Sequence, residues 1–333
     1  MTELIIDPNL VDWEEIAHHD WENLLLGNGF SINIWEKFGY GKLYELAQSE
    51  DIDNPLTDEC IALFNHLDTS NFEDVLRVLY HSMLVDEQLG KPQKEAIEKL
   101  YKNTKNALAA AVNYAHIPPN QADINTINKA LRDYKHVFTT NYDLIPYWSI
   151  MEQVGFFKDY FWGRNNCFDI SDTGVDPENT KIYYLHGAIH LVELTNGKTQ
   201  KLTANGLERL SDLFDLNHPE KFPLIISEGI SEWKLSRIRM NDYLRFCYNK
   251  LEKLDGHLAI LGHSLHRNYD QHIIDAINSS EANIIAISVW PDLPAEDIVS
   301  FKSRLLRDID EKELYFYNSQ THPLGGVDLN ISE

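Results

Sequence analysis

Residues 24–31, Leu-Leu-Leu-Gly-Asn-Gly-Phe-Ser, decide the fold of this chain. The three leucines predict a short buried strand, and the glycines that follow end it abruptly. A glycine-containing turn between a buried strand and a helix is typical of a parallel α/β sheet. Glycines at such a turn let backbone approach the phosphates of a ligand closely. A Gly-x-Gly pattern alone is equally typical of a structural turn.

Six further apolar runs show the same rhythm, each ending in small or polar residues. Strands that alternate with helical patterns predict an α/β fold with a Rossmann-like, doubly wound parallel sheet. The last run would add an edge strand. The runs are residues 136–140, 182–185, 222–226, 257–261, 283–289 and 314–316.

The positions of these runs along the chain predict one Rossmann-like domain over residues 1–333 with two helical insertions. The first covers about 36–133, where Phe72, Val75, Leu76, Leu79 and Met83 keep the spacing of one buried helix face. The second covers about 144–180 and is rich in aromatic residues, which we interpret as core packing rather than as a base-stacking platform. An Asn-Gly pair at 196–197 predicts a hairpin turn.

Composition excludes several classes of function. Lys and Arg number 29 against 52 Asp and Glu, so the formal net charge is −23. Such an acidic surface argues against autonomous nucleic-acid binding and against binding to an anionic membrane. The three cysteines, Cys60, Cys167 and Cys247, form no C-x-x-C pair, which fits a reducing compartment. We therefore expect a soluble cytoplasmic protein without a signal peptide, a transmembrane span or a metal site.

Two polar motifs stand at predicted strand ends, where an open parallel sheet binds its ligand. Residues 139–143 read Thr-Thr-Asn-Tyr-Asp, and Asn141 and Asp143 could act together in a sharp turn. The alternative is that one of them caps the following helix. His186 follows the next strand with a glycine beside it, as a general base near neutral pH would. The alternative for His186 is a packed or surface histidine.

The motif Gly-His-Ser-Leu at 262–265 follows another buried run and allows two interpretations. In the first, Gly262 and Ser264 contact a nucleotide. In the second, Ser264 is the nucleophile of a serine hydrolase with Asp292 and His322 in the usual chain order, although the final glycine of the nucleophile elbow is missing.

The four motifs, in this order, resemble those of the sirtuin-like superfamily. The sirtuin pattern G-A-G-x-S, T-Q-N-x-D, H-G and G-T-S-L is similar to residues 27–31, 139–143, 186–187 and 262–265. The resemblance spans about residues 20–290 and is strongest to bacterial sirtuin-like proteins whose relatives include anti-phage NAD hydrolases.

The resemblance implies NAD⁺ as substrate and assigns roles to individual residues. Asn141 would position the nicotinamide ribose and the attacking water, Asp143 would bind the carboxamide, and His186 would be the base. The remaining NAD⁺ contacts would come from Gly27, Asn28, Gly29, Phe30, Ser31, Thr140, Gly262, Ser264 and Ser288. Of these, the glycines of the first motif and Ser31 would hold the pyrophosphate, and Ser288 would bind the adenine ribose.

The chain also departs from the sirtuin pattern. It lacks the paired C-x-x-C zinc module of the deacylases, which argues against deacylation but not against cleavage of the nicotinamide bond. The resemblance therefore implies an NAD⁺ glycohydrolase that needs no metal and acts as an antiviral defence effector. We expect a homo-oligomer, activated by a phage component or a translocase-type ATPase. The alternatives are the serine hydrolase and a non-catalytic sensor of NAD or ADP-ribose.

Overall fold

The computed structural model describes residues 6–90, 93–116, 119–162, 164–174, 176–203, 223–227 and 229–331. The strands in this part of the chain are β1 (Asn23–Leu26), β2 (His136–Thr139), β3 (Phe157–Lys158), β4 (Thr180–Tyr184), β5 (Gly187–Glu193), β6 (Thr199–Lys201), β7 (Pro223–Ile225), β8 (Leu258–Leu261), β9 (Ile284–Val289) and β10 (Glu313–Asn318).

Seven of these strands form one sheet in the order β10-β9-β8-β1-β2-β4-β3, and each neighbouring pair is parallel. The predicted Rossmann-like, doubly wound α/β fold is confirmed. The chain leaves β1 towards β2 on one side and reaches β8 on the other, so the strand order reverses between β1 and β8. In open α/β sheets this switch point opens a crevice at the carboxyl ends of the strands.

The helices flank this sheet and fill the interval between β1 and β2. They are α1 (Trp13–Ile16), α2 (Asn28–Ile34), α3 (Tyr40–Ala47), α4 (Asp58–Leu67), α5 (Phe72–Leu89), α6 (Lys94–Tyr114), α7 (Ile124–Leu131), α8 (Ile145–Glu152), α9 (Ser231–Met240), α10 (Asp242–Glu252), α11 (Arg267–Ser279) and α12 (Ala295–Asp308). The longest two, α5 and α6, pack against each other. No helix among the described residues is long and apolar enough to cross a membrane.

Most strand predictions are confirmed, and the run at 314–316 lies in the edge strand β10. The run at 222–226 was expected in the parallel sheet, which is wrong. Its residue 222 lies outside the described residues, and β7 pairs antiparallel with β5 in a separate sheet of order β6-β5-β7. A short apolar run identifies a strand but not its partner. The predicted hairpin turn is confirmed, because Gly197 has a φ of +77° between the antiparallel β5 and β6.

The segment 144–180 is less helical than expected. Its described residues contain one α-helix, α8, then the short strand β3 and irregular turns. Tyr147, Phe157 and Phe161 are buried in the main core, whereas Trp162 is exposed. The aromatic residues therefore pack mainly as core.

Candidate functional site

Two glycine turns contact each other at the switch point between β1 and β8. The β1 turn is residues 27–29, directly after β1, and the β8 turn contains Gly262, directly after β8. The Gly27 N–H donates to the Leu261 carbonyl at 2.9 Å, and the Gly29 N–H donates to the Gly262 carbonyl at 2.8 Å. Gly262 has a φ of +68°, and a Cβ there would lie 2.4 Å from the Phe30 nitrogen. Only glycine fits this left-handed, crowded position.

This interlock occupies the backbone N–H donors of the turn after β1. Because the N–H groups of Gly27 and Gly29 already bond to the β8 turn, and that of Phe30 bonds to the Gly27 carbonyl, none of the three has a free donor for a phosphate oxygen. A tight structural turn is therefore sufficient to explain the hydrogen bonds made by the N–H groups of this Gly-x-Gly pattern. Any ligand contact at these residues must use other atoms.

A buried polar network joins the β1 turn to the loop after β2. The Asn141 side-chain amide donates to the Ser31 hydroxyl at 2.8 Å and to the Gly27 carbonyl at 3.0 Å. The Ser31 hydroxyl in turn donates to Asp143 Oδ2 at 2.5 Å. Ser31 is fully buried, so it supports Asn141 and Asp143 from inside the fold, and its contact with a pyrophosphate stays a prediction.

One carboxylate oxygen of Asp143 caps the following helix, as the alternative interpretation predicted, whereas Asn141 does not cap it. Asp143 Oδ1 accepts the Ile145 N–H at 2.8 Å, at the start of α8. Burial raises the pKa of the Asp143 carboxyl, and the hydrogen bonds from Ser31 and Ile145 oppose that rise. The side-chain N–H groups of Asn141 donate to the Gly27 carbonyl and the Ser31 hydroxyl. Its Oδ1 is buried without a partner among the described residues. An oriented, unsatisfied amide oxygen is a group that a ligand or water could satisfy.

A cavity of about 370 Å³ opens beside this network. The predicted site residues on its wall are Asn28, Gly29, Thr140, Asn141, Asp143, His186, Gly262 and Ser264. A second cavity of about 190 Å³ shares Gly29, Gly262 and His263 with the first. The predicted residues Phe30 and Ser288 line this second cavity.

Ser288 and Ser264 contribute differently to these walls. Ser288, near the end of β9, accepts the Gly262 N–H on its hydroxyl at 2.8 Å, which holds the β8 turn. Ser264 is exposed at the rim of the first cavity, and its carbonyl accepts from Arg304. The Ser264 hydroxyl is therefore accessible to a ligand.

His186 lies on the wall of the first cavity and belongs to a chain of buried side chains. Its Nε2 is 2.8 Å from Nε2 of His272 on α11, and Nδ1 of His272 is 2.7 Å from the Ser231 hydroxyl on α9. Burial, together with the Lys234 ammonium, lowers the pKa of His186 well below its ordinary value and that of His272 to about 3. Both imidazoles are therefore neutral at physiological pH.

A buried ionic cluster on the same wall was not predicted from the sequence. Lys234 Nζ donates to Glu73 Oε1 at 2.6 Å and lies 3.7 Å from Asp270 Oδ1. Burial raises the pKa of Glu73 to about 7, although Lys234 opposes the shift. The three residues come from α5, α9 and α11, so no local motif could reveal the cluster.

The serine hydrolase triad is not assembled. His322 is buried, its Nε2 lies 2.8 Å from the Tyr134 hydroxyl, and its Nδ1 accepts the Leu324 N–H. It lines a different cavity from Ser264, and among the described residues no hydrogen bond joins Ser264, Asp292 and His322. The structure thus separates the residues that this alternative requires.

The fold and cavities define a Rossmann-like α/β protein with a candidate ligand site at the switch point of its sheet. The chain belongs to the DUF4917 family, described as a domain of unknown function, whose model matches residues 24–324. The matched region includes both glycine turns, the buried network and His186. No curated protein matches the chain.

Proposed function

We propose that this protein is an NAD⁺ glycohydrolase that cleaves the bond between nicotinamide and ribose. The observation that carries the proposal is the buried network of Asn141, Ser31 and Asp143 on the wall of the larger cavity. It holds an amide and a carboxylate in fixed orientation where the parallel strands β1 and β2 end, and oriented dipoles of this kind stabilise developing charge. The resemblance of the four motifs to sirtuin-like proteins supports the same conclusion.

The proposed reaction needs little from the protein beyond orientation and charge stabilisation. The C1′–N bond of the nicotinamide ribose breaks, its electron pair goes to the pyridinium, and nicotinamide leaves as a neutral molecule. A water oxygen bonds to C1′, and the proton it loses passes to solvent or to a base. The products are nicotinamide, ADP-ribose and one proton. Positioned acid–base groups typically contribute about 10²–10⁴-fold to such a step.

The shape of the site suits a dinucleotide. The two cavities meet at Gly29, Gly262 and His263, so one ligand could extend from one cavity into the other. We place the nicotinamide riboside in the larger cavity beside Asn141, and the adenosine in the smaller cavity beside Ser288. With the N–H groups of Gly27 and Gly29 already bonded, side chains and the remaining backbone groups must supply the phosphate contacts.

An unrestrained NAD⁺ hydrolase would kill its host, so we propose low basal turnover and activation on phage infection. Activation would come from homo-oligomer assembly or from a partner such as a phage component or a translocase-type ATPase. The helices α3 and α6 contribute Leu43, Leu108 and Val112 to the cavity wall. A partner that moves these helices would change access to the site.

The direct test is incubation of the purified protein with NAD⁺ and separation of the products by chromatography. We expect nicotinamide and ADP-ribose in equal amounts. NAD⁺ binding without product, at any protein concentration and with infected-cell extract added, would overturn the glycohydrolase and favour the sensor. Labelling of Ser264 by a serine-directed covalent probe would instead favour the hydrolase.

A further inference from the structure

Ser231, His272 and His186 form a chain of hydrogen bonds. The donor and the acceptor of each hydrogen bond in this chain can be assigned. The Ser231 hydroxyl oxygen accepts the backbone N–H of His272 at 2.7 Å. Its own proton has one acceptor among the described residues, Nδ1 of His272, at 2.7 Å. A buried hydroxyl proton left without an acceptor is costly. The Ser231 hydroxyl therefore donates to Nδ1 of His272, which accepts this hydrogen bond.

This assignment propagates to His186. If Nδ1 of His272 accepts, its neutral ring carries the proton on Nε2, and that proton donates to His186 Nε2 across 2.8 Å. His186 Nε2 then accepts, so the proton of its neutral ring is on Nδ1. Nδ1 makes no hydrogen bond to a described residue, and His186 lines the larger cavity.

We infer that Ser231, acting through His272, fixes His186 in the tautomer whose Nδ1–H faces the cavity, so that His186 donates a hydrogen bond to an oxygen of the substrate. Ser231 and His272 are positioning residues, since only His186 lines the cavity. The inference rests on the proposed function for the identity of the substrate, whose hydroxyl and phosphate oxygens are the acceptors available. The tautomer of His186 is assigned independently of the proposed function.

In this tautomer His186 is a hydrogen-bond donor, whereas the sequence predicted a base. A base at Nδ1 needs a lone pair there, which requires both imidazoles to exchange tautomers. After that exchange, Nδ1 of His272 donates to Ser231, and the Ser231 hydroxyl proton loses its acceptor among the described residues. The resting enzyme therefore uses His186 to bind substrate, and the proton of the attacking water leaves by another group or to solvent.

The test is the protonation of individual ring nitrogens, measured by long-range ¹H–¹⁵N NMR on the full chain labelled with ¹⁵N-histidine, near neutral pH. The signals are assigned by their loss in His186→Gln and His272→Gln. We expect the proton of His186 on Nδ1 and that of His272 on Nε2. A wild-type His186 that carries its proton on Nε2, or on both nitrogens, would overturn the inference.

Ser231 variants test the origin of the preference. Ser231→Thr keeps the hydroxyl and should keep both tautomers, whereas Ser231→Ala removes the donor and should shift both rings towards the opposite tautomer. An unchanged pattern in Ser231→Ala would show that Ser231 does not fix the tautomer. Because NMR needs no turnover, absence of nicotinamide release, with infected-cell extract added as well, would refute the proposed function and leave this result standing. In an active enzyme, His272→Gln should raise KM more than it lowers kcat.

Discussion

The side-chain amide of Asn141 lies 2.8 Å from the hydroxyl of Ser31, and this hydrogen bond joins the loop after β2 to helix α2. Both residues are buried, and Ser31 passes the connection on to Asp143. The orientation of the two polar groups on the cavity wall therefore depends on a fully buried serine.

The first prediction concerns this serine. Ser31→Ala leaves one Asp143 oxygen and one Asn141 N–H unpaired, so it should cost about 1–3 kcal/mol of stability and lower kcat about tenfold or more. Ser149→Ala is the matched control, because Ser149 is also buried but its hydroxyl donates to the Ile145 carbonyl within α8. Urea unfolding and nicotinamide release are measured for both. Equal turnover in the two variants would exclude an orienting role for Ser31.

The second prediction concerns the interlocked turns. Gly262→Ala combines a left-handed backbone with a Cβ 2.4 Å from the Phe30 nitrogen, so it should destabilise the protein by well over the ~1 kcal/mol of the backbone strain alone. Gly90→Ala isolates that strain, since Gly90 has a φ of +61° and open space around it. Melting temperatures of the two variants compare the effects. If Gly262→Ala is no less stable than Gly90→Ala, the turns are not tightly packed.

Part of the fold and of the site could be predicted from the sequence because the signal is local. Parallel strands end at one edge of the sheet, which is why Asn141 and His186, 45 positions apart in the chain, are expected to lie near each other. Both line the same cavity. The sequence could not reveal features that depend on the three-dimensional arrangement of the chain: the predicted sheet partner of β7 is wrong, and the cluster around Lys234, whose members come from separate helices, was missed.

The third prediction concerns pH. An unfolded histidine has a pKa of about 6.5, whereas that of His272 in the fold is lowered to about 3 by burial and by Lys234. Below pH 6.5 the unfolded state binds a proton that the folded state does not, so stability falls as the pH falls from about 6.5 towards 3, by about 1.4 kcal/mol per pH unit for this group. Urea unfolding near pH 7.5 and near pH 5.5 measures the slope.

The comparison with His272→Gln isolates this contribution from those of other groups. Glu73 acts with the opposite sign, because its pKa is raised to about 7 and its contribution is lost as the pH rises. That contribution is present in both proteins, so it largely cancels in the difference. The wild-type protein should lose more stability on acidification than His272→Gln. The same loss in both proteins would show that His272 is not neutral in the fold.

The fourth prediction separates the glycohydrolase from the serine hydrolase. Removing one neutral hydrogen bond to a ligand costs about 0.5–1.5 kcal/mol, so Ser264→Ala should raise KM for NAD⁺ about 2- to 12-fold and leave kcat nearly unchanged. A serine hydrolase would lose all turnover in this variant. Steady-state kinetics with NAD⁺ distinguishes the two outcomes. Loss of turnover in Ser264→Ala, with a normal melting curve, would restore the hydrolase.

The measurement that tests the central claim most directly is nicotinamide release by Asn141→Ala beside Asn128→Ala. Asn128 is a matched control, because it is also a buried asparagine whose amide donates to a backbone carbonyl, that of Ser149, at 2.7 Å, and it does not line the cavity. If Asn141 orients the ribose and the water, Asn141→Ala should lower turnover at least about 10²-fold, while Asn128→Ala loses stability and keeps its turnover. Equal turnover in two folded variants would contradict the account.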